Sequence, residues 1–247
     1  MSPKRPQDPG ANVTGTATAP AQAKDMIQGA QQGGPDPAGG DFVEGLAATH
    51  LEYVRGADPL GKVPPTTTMK GAAKAFIDMI QARRTTVLVD KMGERLAFER
   101  TGVRLYDLVI MKHELHGAWP GGPEASELRE HRREELDHLH LLIDAMKQVG
   151  ADPTAVTPGA DVVAVESLGL VDVLSDARTT LDQALHALLV AELTDNDGWD
   201  MLVDLTEGFG HAQLARRFRD AKQREEEHLR DVRRWLTAHA KAAAGTA

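Results

Sequence analysis

Cysteine is absent from all 247 residues, which excludes a disulfide framework, a thiol nucleophile, an iron–sulfur cluster and a Cys-ligated zinc site. Aromatic residues are scarce, at 3 Trp, 2 Tyr and 5 Phe, too few for the stacking platforms of single-stranded nucleic-acid binders. Positive charge is in deficit: 28 Lys and Arg against 37 Asp and Glu give a formal charge of −9, which argues against a phosphate-binding surface. No apolar run approaches the roughly 18 residues that span a bilayer, and the N-terminus lacks the hydrophobic segment of a secretory signal. Strand signals are nearly missing as well, with no alternating β-branched runs and no Asn-Gly turns. The expectation is a cytoplasmic, all-α protein without nucleic-acid or membrane partners, long enough to bury a core unaided.

What is present divides the chain. Residues 1–40 hold 7 Gly and 6 Pro with few large apolar side chains, so they cannot offset the entropy of ordering and read as a disordered tail. An extension over 41–86 follows, with a short amphipathic helix from Phe42 to Tyr53, breakers at Asp58, Pro59, Gly61, Pro64 and Pro65, and a second short helix over 69–80. From 87 to 241 the pattern changes to four long helical segments, 87–116, 124–149, a third from near Ser175 or Asp176 to Gly208, and a fourth from near His211. Short links join the first to the second and the third to the fourth, so each pair is an antiparallel hairpin. The stretch 150–174, with a short helix near Val162 to Leu168, is long enough to return along the bundle. Two short loops around one long crossover is ferritin-like connectivity.

Each segment carries acid on its apolar stripe. The first reads Met92, Leu96, Glu99, Val103, Tyr106, Ile110; the second Leu128, His131, Glu135, His138, Leu142, Ala145, Val149. The third reads Leu185, Leu188, Glu192, Asp195, Trp199, Leu202, and the fourth Leu214, Phe218, Ala221, Glu225, His228, Val232, Trp235. A buried, unpaired carboxylate protonates or disrupts packing, so four of them call for a shared counter-charge. Glu135 with His138, and Glu225 with His228, stand three apart, so each pair shares a helix face and can reach one ion. Four carboxylates balance two divalent cations, and two neutral imidazoles complete the shell without adding charge. Such oxygen-rich ligation suits iron or manganese better than structural zinc.

One Glu from each of two helices plus Glu-x-x-His from the other two, in the order Glu99, Glu135/His138, Glu192, Glu225/His228, resembles the di-metal carboxylate pattern of the ferritin-like superfamily. Within it the chain is most similar to the rubrerythrin branch. Ala215, Arg216, Arg217, Phe218, Arg219, then Glu225, Glu226, Glu227 and His228, resemble that branch's last helix, and Glu99 followed seven positions on by Tyr106 resembles its first. The resemblance spans 87–240 and says nothing of the first 80 residues. It implies a ferritin-like four-helix bundle with one long crossover between helices 2 and 3, and a cofactor of two iron ions, or iron and manganese. The chain departs from rubrerythrins in having no Cys for a rubredoxin iron, so an external electron donor is expected. It also departs in the extra carboxylate of the third helix, for which the shorter Asp195 could stand as an additional ligand.

Among other candidates, Tyr106 either hydrogen-bonds a ligating carboxylate, in a catalytic role, or fills core space. His131 is either an outer partner of a ligand or a core histidine. Glu94 is expected to be solvated or paired with an Arg, His113 and His116 to meet the carbonyls ending their helix, and Trp199 and Trp235 to be packing residues. The Arg-rich face of the last segment is expected to be solvated and salt-bridged. Two functions compete: a di-iron or manganese-containing oxidoreductase reacting with peroxide or dioxygen, or oxidising ferrous iron as a ferroxidase, and an iron-binding or storage component of a larger assembly without turnover of its own. A homo-oligomer is expected in either case. A bundle that has lost its metal is the third possibility, disfavoured because all six ligand positions are intact.

Overall fold

The structure is a computed structural model that describes Lys24, Gln28 and residues 40–64 and 75–246; the expected tail over 1–40 lies almost wholly outside these residues. The chain divides into two units, Met1–Asp58 and Pro59–Ala247. In the first, helix α1 spans Gly40–Gly56, where the amphipathic piece was expected, and Leu51, Tyr53 and Val54 on it are exposed.

In the second unit, α2 spans Ala75–His116, α3 Ala125–Gln148, α4 Pro158–Glu166, α5 Leu168–Ser175, α6 Leu181–Gly208 and α7 Ala212–Ala243. Helices α2 and α3 form one hairpin and α6 and α7 the other; α2 also lies against α6 and α3 against α7, closing a four-helix bundle. Helices α4 and α5, in the crossover, pack on α2 and α6. The fold is thus all-α and ferritin-like, with its long connection between the second and third bundle helices. Among the described residues there is no strand, and no helix is long and apolar enough to cross a membrane.

Local chemistry sets the boundaries. A reciprocal capping box, Glu124 with Glu127, opens α3, and another, Thr180 with Gln183, opens α6. The expected start of that helix at Ser175 or Asp176 is therefore corrected: Ser175 ends α5, and Asp176, its C-cap, turns extended and accepts from Arg178 N at 2.9 Å. Gly150 and Gly210 end α3 and α6 at φ near +80°, where the N–H groups of Ala151 and His211 reach back to Met146 and Thr206 carbonyls. At the front, α2 begins at Ala75 instead of residue 87. The separate short helix expected over 69–80 is thereby corrected from residue 75 onward, because no proline interrupts 75–116 and the helix simply continues; residues 69–74 lie outside the described ones.

The stripes expected on α3, α6 and α7 are buried, apart from the half-buried Val149. On α2 the match is partial: Val103 and Ile110 are half-buried, while Gly102, Leu105 and Val109 are buried. The reason is that α2 touches α3, α4, α5 and α6, so more than one face is covered. The apolar side chains form two clusters, one around Leu105, Leu128, Leu185 and Trp235 and the other around Met92, Leu142, Trp199 and Phe218. Between them, at the level of Glu99, Glu135, Glu192 and Glu225, lies a fully enclosed polar layer.

Candidate metal centre

The polar layer brings together the six residues expected from the sequence. Two groups converge with ligand atoms all within 4.8 Å of one another: Glu99, His138 and Glu225, and Glu135, Glu192, Glu225 and His228. Glu225 belongs to both. Its Oε1 lies 2.5 Å from His138 Nδ1 and its Oε2 lies 3.2 Å from His228 Nδ1, so one carboxylate presents one oxygen to each half. His138 Nδ1 is 3.8 Å from Glu99 Oε2, and His228 Nδ1 is 3.4 Å from Glu135 Oε1 and 3.9 Å from Glu192 Oε2. The i, i+3 spacing on α3 and α7 places each imidazole beside its carboxylate on the inward face.

The outer pair of carboxylates is tied crosswise. Tyr106, seven residues after Glu99 on α2, donates its hydroxyl to Glu192 Oε1 at 2.6 Å. Trp199, seven residues after Glu192 on α6, donates its indole N–H to Glu99 Oε1 at 2.9 Å. Each helix thus anchors the other's glutamate and leaves that glutamate's Oε2 free. These Oε2 atoms, together with Glu225 Oε1 and both ring nitrogens of His138, are buried without an aligned hydrogen bond. Buried polar atoms left in this way are rare and costly, and the three oxygens and His138 Nδ1 face the two convergent groups, which fits a pair of cations held by carboxylate oxygen and imidazole nitrogen.

Electrostatics express the same demand. Burial raises Glu99 well above the usual carboxylate range, and Asp195, Glu135 and Glu225 add repulsion. Burial likewise raises Glu192, with His228 opposing, and Glu135, with Glu225 adding to the rise. Burial would raise Glu225 too, but His228 and His138 outweigh it and hold it well below the usual range. Burial disfavours the charged His228 ring, yet Glu225, Glu134 and Glu135 overcome that and raise it. Without cations, the layer therefore keeps protons as its counter-charge.

Several residues at the layer escaped the sequence patterns. Glu134 accepts from His228 Nε2 at 2.9 Å, fixing the ring with Nδ1 inward, and Arg224 holds Glu134 from the outside. Arg95, almost fully buried, reaches Asp195 Oδ1 at 2.9 Å and Glu99 Oε1 at 3.5 Å. Asn196 bridges Glu192 O and Glu225 O at 2.9 and 3.0 Å, locking α6 to α7. Two glycines make room: a Cβ at Gly102 would stand 2.1 Å from Glu135 Oε2, and one at Gly198 would stand 1.7 Å from an Arg95 nitrogen. A charged residue one place before Glu-x-x-His, and glycine inside a helix against its own propensity, were the available signals.

The remaining candidates lie around the layer and along its helices. Asp195 joins neither convergent group and lies 2.9 Å from an Arg95 nitrogen. Trp199 is a donor to the site as well as packing; Trp235 packs near His131, with ring centroids 5.7 Å apart. His131 lies against His228 with ring centroids 4.2 Å apart and planes tilted by 46°, and 3.3 Å from Asp231, and it forms a third convergent group with Glu134 and His228. Glu94 pairs with Lys91 at 2.5 Å rather than with an Arg. His113 meets the carbonyl of Pro123, at 3.0 Å, in the loop that returns toward it.

No protein-family model matches the chain, and no curated protein does. Among solved structures, one from Bacillus anthracis str. Ames, described as ferritin like, diiron-carboxylate proteins, is similar at 15% identity. The similarity covers 62% of this chain and 97% of that one, with a TM-score of 0.47. The site stands on its own geometry.

Proposed function

We propose that the polar layer is a di-metal centre, of two iron ions or iron with manganese, and that the protein is an oxidoreductase of the rubrerythrin-like kind acting on peroxide or dioxygen. The observation that carries this reading is Glu225, which offers one oxygen to each of two convergent groups. Glu99 and His138 would hold one ion and Glu135, Glu192 and His228 the other, with Glu225 offering an oxygen to each. When bound, such a pair supplies reversible one-electron steps at each ion to a small oxidant.

The chain's own part is positioning and exclusion. Tyr106 and Trp199 fix the outer carboxylates, and the Tyr106 hydroxyl keeps a proton on hand at Glu192 Oε1. Burial and the charge of Glu192 and Glu135 keep that phenol protonated. At the layer lies a cavity of about 10 Å³ lined by Glu135, Glu192 and Asp195 together with Phe98, Gly102 and Tyr106, the room of one water-sized molecule. That size favours peroxide, dioxygen or ferrous iron over an organic substrate. Electrons come from an external donor, since the chain has no cysteine for a second centre.

Metal analysis of protein purified after growth with iron and manganese tests the reading. Two ions per chain are expected, falling sharply in Glu135→Ala and Glu225→Ala and unchanged in Glu130→Ala and Glu226→Ala. Two ions retained in both of the first variants would remove the assignment. Faster oxidation of the reduced protein by peroxide supports the peroxidase assignment; faster oxidation by dioxygen with uptake beyond two irons per chain supports ferroxidase or storage instead.

A further inference from the structure

The two halves of the layer are built from matching positions but are not equivalent. One half gathers four donor residues, Glu135, Glu192, Glu225 and His228; the other gathers three, Glu99, His138 and Glu225. The imidazoles differ as well. His228 Nε2 is committed to Glu134 at 2.9 Å, so its Nδ1 is presented inward in one orientation. His138 Nδ1 lies 2.5 Å from Glu225 Oε1 but its Nε2 has no hydrogen-bond partner, so nothing behind the ring fixes its orientation.

The outer carboxylates differ in what stands behind them. Glu192 Oε1 accepts only a neutral hydroxyl, from Tyr106. Glu99 Oε1 accepts from Trp199 and also faces the Arg95 guanidinium at 3.5 Å, a fixed positive charge against an incoming cation. Asp195 lies nearer that guanidinium, at 2.9 Å, so net charge does not separate the halves. Donor number, ring orientation and the cation touching Glu99 do, and all three favour the same half.

The geometry points to ordered loading: a divalent cation occupies the Glu135/Glu192/Glu225/His228 half first, and the Glu99/His138 half fills second and more weakly. This rests on the di-metal reading and adds that singly loaded and mixed-metal protein can be prepared. A cation already at Glu225 Oε2 draws charge from the shared carboxylate and weakens its Oε1 for the second ion, which widens the gap.

Cobalt(II) titration of the metal-free protein against a competing chelator, followed by visible absorption and by intrinsic tryptophan fluorescence, tests it. Two steps at least tenfold apart are expected. Glu99→Gln should keep the first step unchanged and lose the second, Glu192→Gln should weaken the first at least tenfold, and Glu134→Ala, which removes no ligand, should weaken the first step alone. Helicity by circular dichroism identifies any variant that has failed to fold, and Glu134→Ala, at the edge of the layer, then decides the matter. Two equal steps in wild type, or a first step lowered by Glu99→Gln and spared by Glu134→Ala, would overturn ordered loading while leaving a di-metal centre. No cobalt bound by wild type would overturn both.

Discussion

Trp199 donates its indole N–H to Glu99 at 2.9 Å, across one hundred residues of sequence, and so fixes which oxygen of that glutamate remains for a cation. Its ring also packs edge-on against His138 and Phe218, at 5.5 Å in each case. The same side chain therefore couples the acid layer to the apolar cluster beside it. Replacing it with Phe keeps most of the packing and removes the donor. Trp199→Phe should cost about 1–3 kcal/mol in denaturant unfolding and loosen the second cobalt step several-fold, while the first step is spared. Equal loosening of both steps would show that the indole acts on packing alone.

Arg95 and Asp195 are a buried pair, 2.9 Å apart. Arg95→Met leaves the Asp195 carboxyl in the interior without its guanidinium partner and should destabilise the protein by about 1–3 kcal/mol. Arg95→Met combined with Asp195→Leu leaves no charge behind and should recover most of that loss, since well-packed apolar residues often replace such pairs without penalty. Urea unfolding of the three proteins measures it; a double variant no better than the single one would mean that the hydrogen bonds from Arg95 to the α6 carbonyls of Thr194 and Asp195 matter more than the ion pair.

Gly102 separates fold from site. It lies within α2 with a helical backbone, and a methyl group there would stand 2.1 Å from Glu135 Oε2. Gly102→Ala should gain up to about 1 kcal/mol of intrinsic helix propensity, partly offset by the displaced carboxylate, so metal-free protein should melt close to wild type. Cation affinity should drop at least tenfold, because Glu135 must swing aside. A variant that binds metal normally would show that Glu135 has another rotamer able to ligate.

Stability should depend on pH in opposite senses with and without metal. Burial raises Glu99, Glu135, Glu192 and Asp195 above their ordinary values of 4.5 and 3.8, so the folded, metal-free protein holds protons that the unfolded chain releases. Stability is then lost as pH rises through those raised values. His228, raised above 6.5, acts in the same sense: its contribution is complete below 6.5 and disappears as pH rises through its folded value. Glu134 acts the other way. Burial would raise it, but His228 and Arg224 hold it at about 2, so its contribution is present above 4.5 and lost as pH falls toward 2. Metal-free protein should therefore melt lower at about pH 8 than at about pH 6. Cations replace the protons, so the gain in melting temperature on adding metal should widen over the same interval. Calorimetry at the two pH values, with and without metal, checks both slopes, and a metal-free protein that melts higher at the upper pH would contradict the proton-holding layer.

Much of this was decided by sequence alone. Acid set into each of four apolar stripes, at Glu99, Glu135, Glu192 with Asp195, and Glu225, is a local pattern of period 3.6, and the lengths of the links between segments dictate which helices pair. Those features depend only on residue spacing and on what water excludes. The partners of the acids belong to another class. Arg95, Glu134 and Asn196 sit off the simple stripes: Arg95 is covered because α2 touches four other helices, and Glu134 and Asn196 because residues of α7 meet them. The start of α6 moved for a smaller reason, a capping box at Thr180 and Gln183 that competes with the earlier Ser175 and Asp176. That Asp195 meets Arg95, and that Trp199 reaches Glu99 while Tyr106 reaches Glu192, only tertiary structure decided, because each contact joins α2 to α6 and its length is set by the packing of two helices rather than by either one.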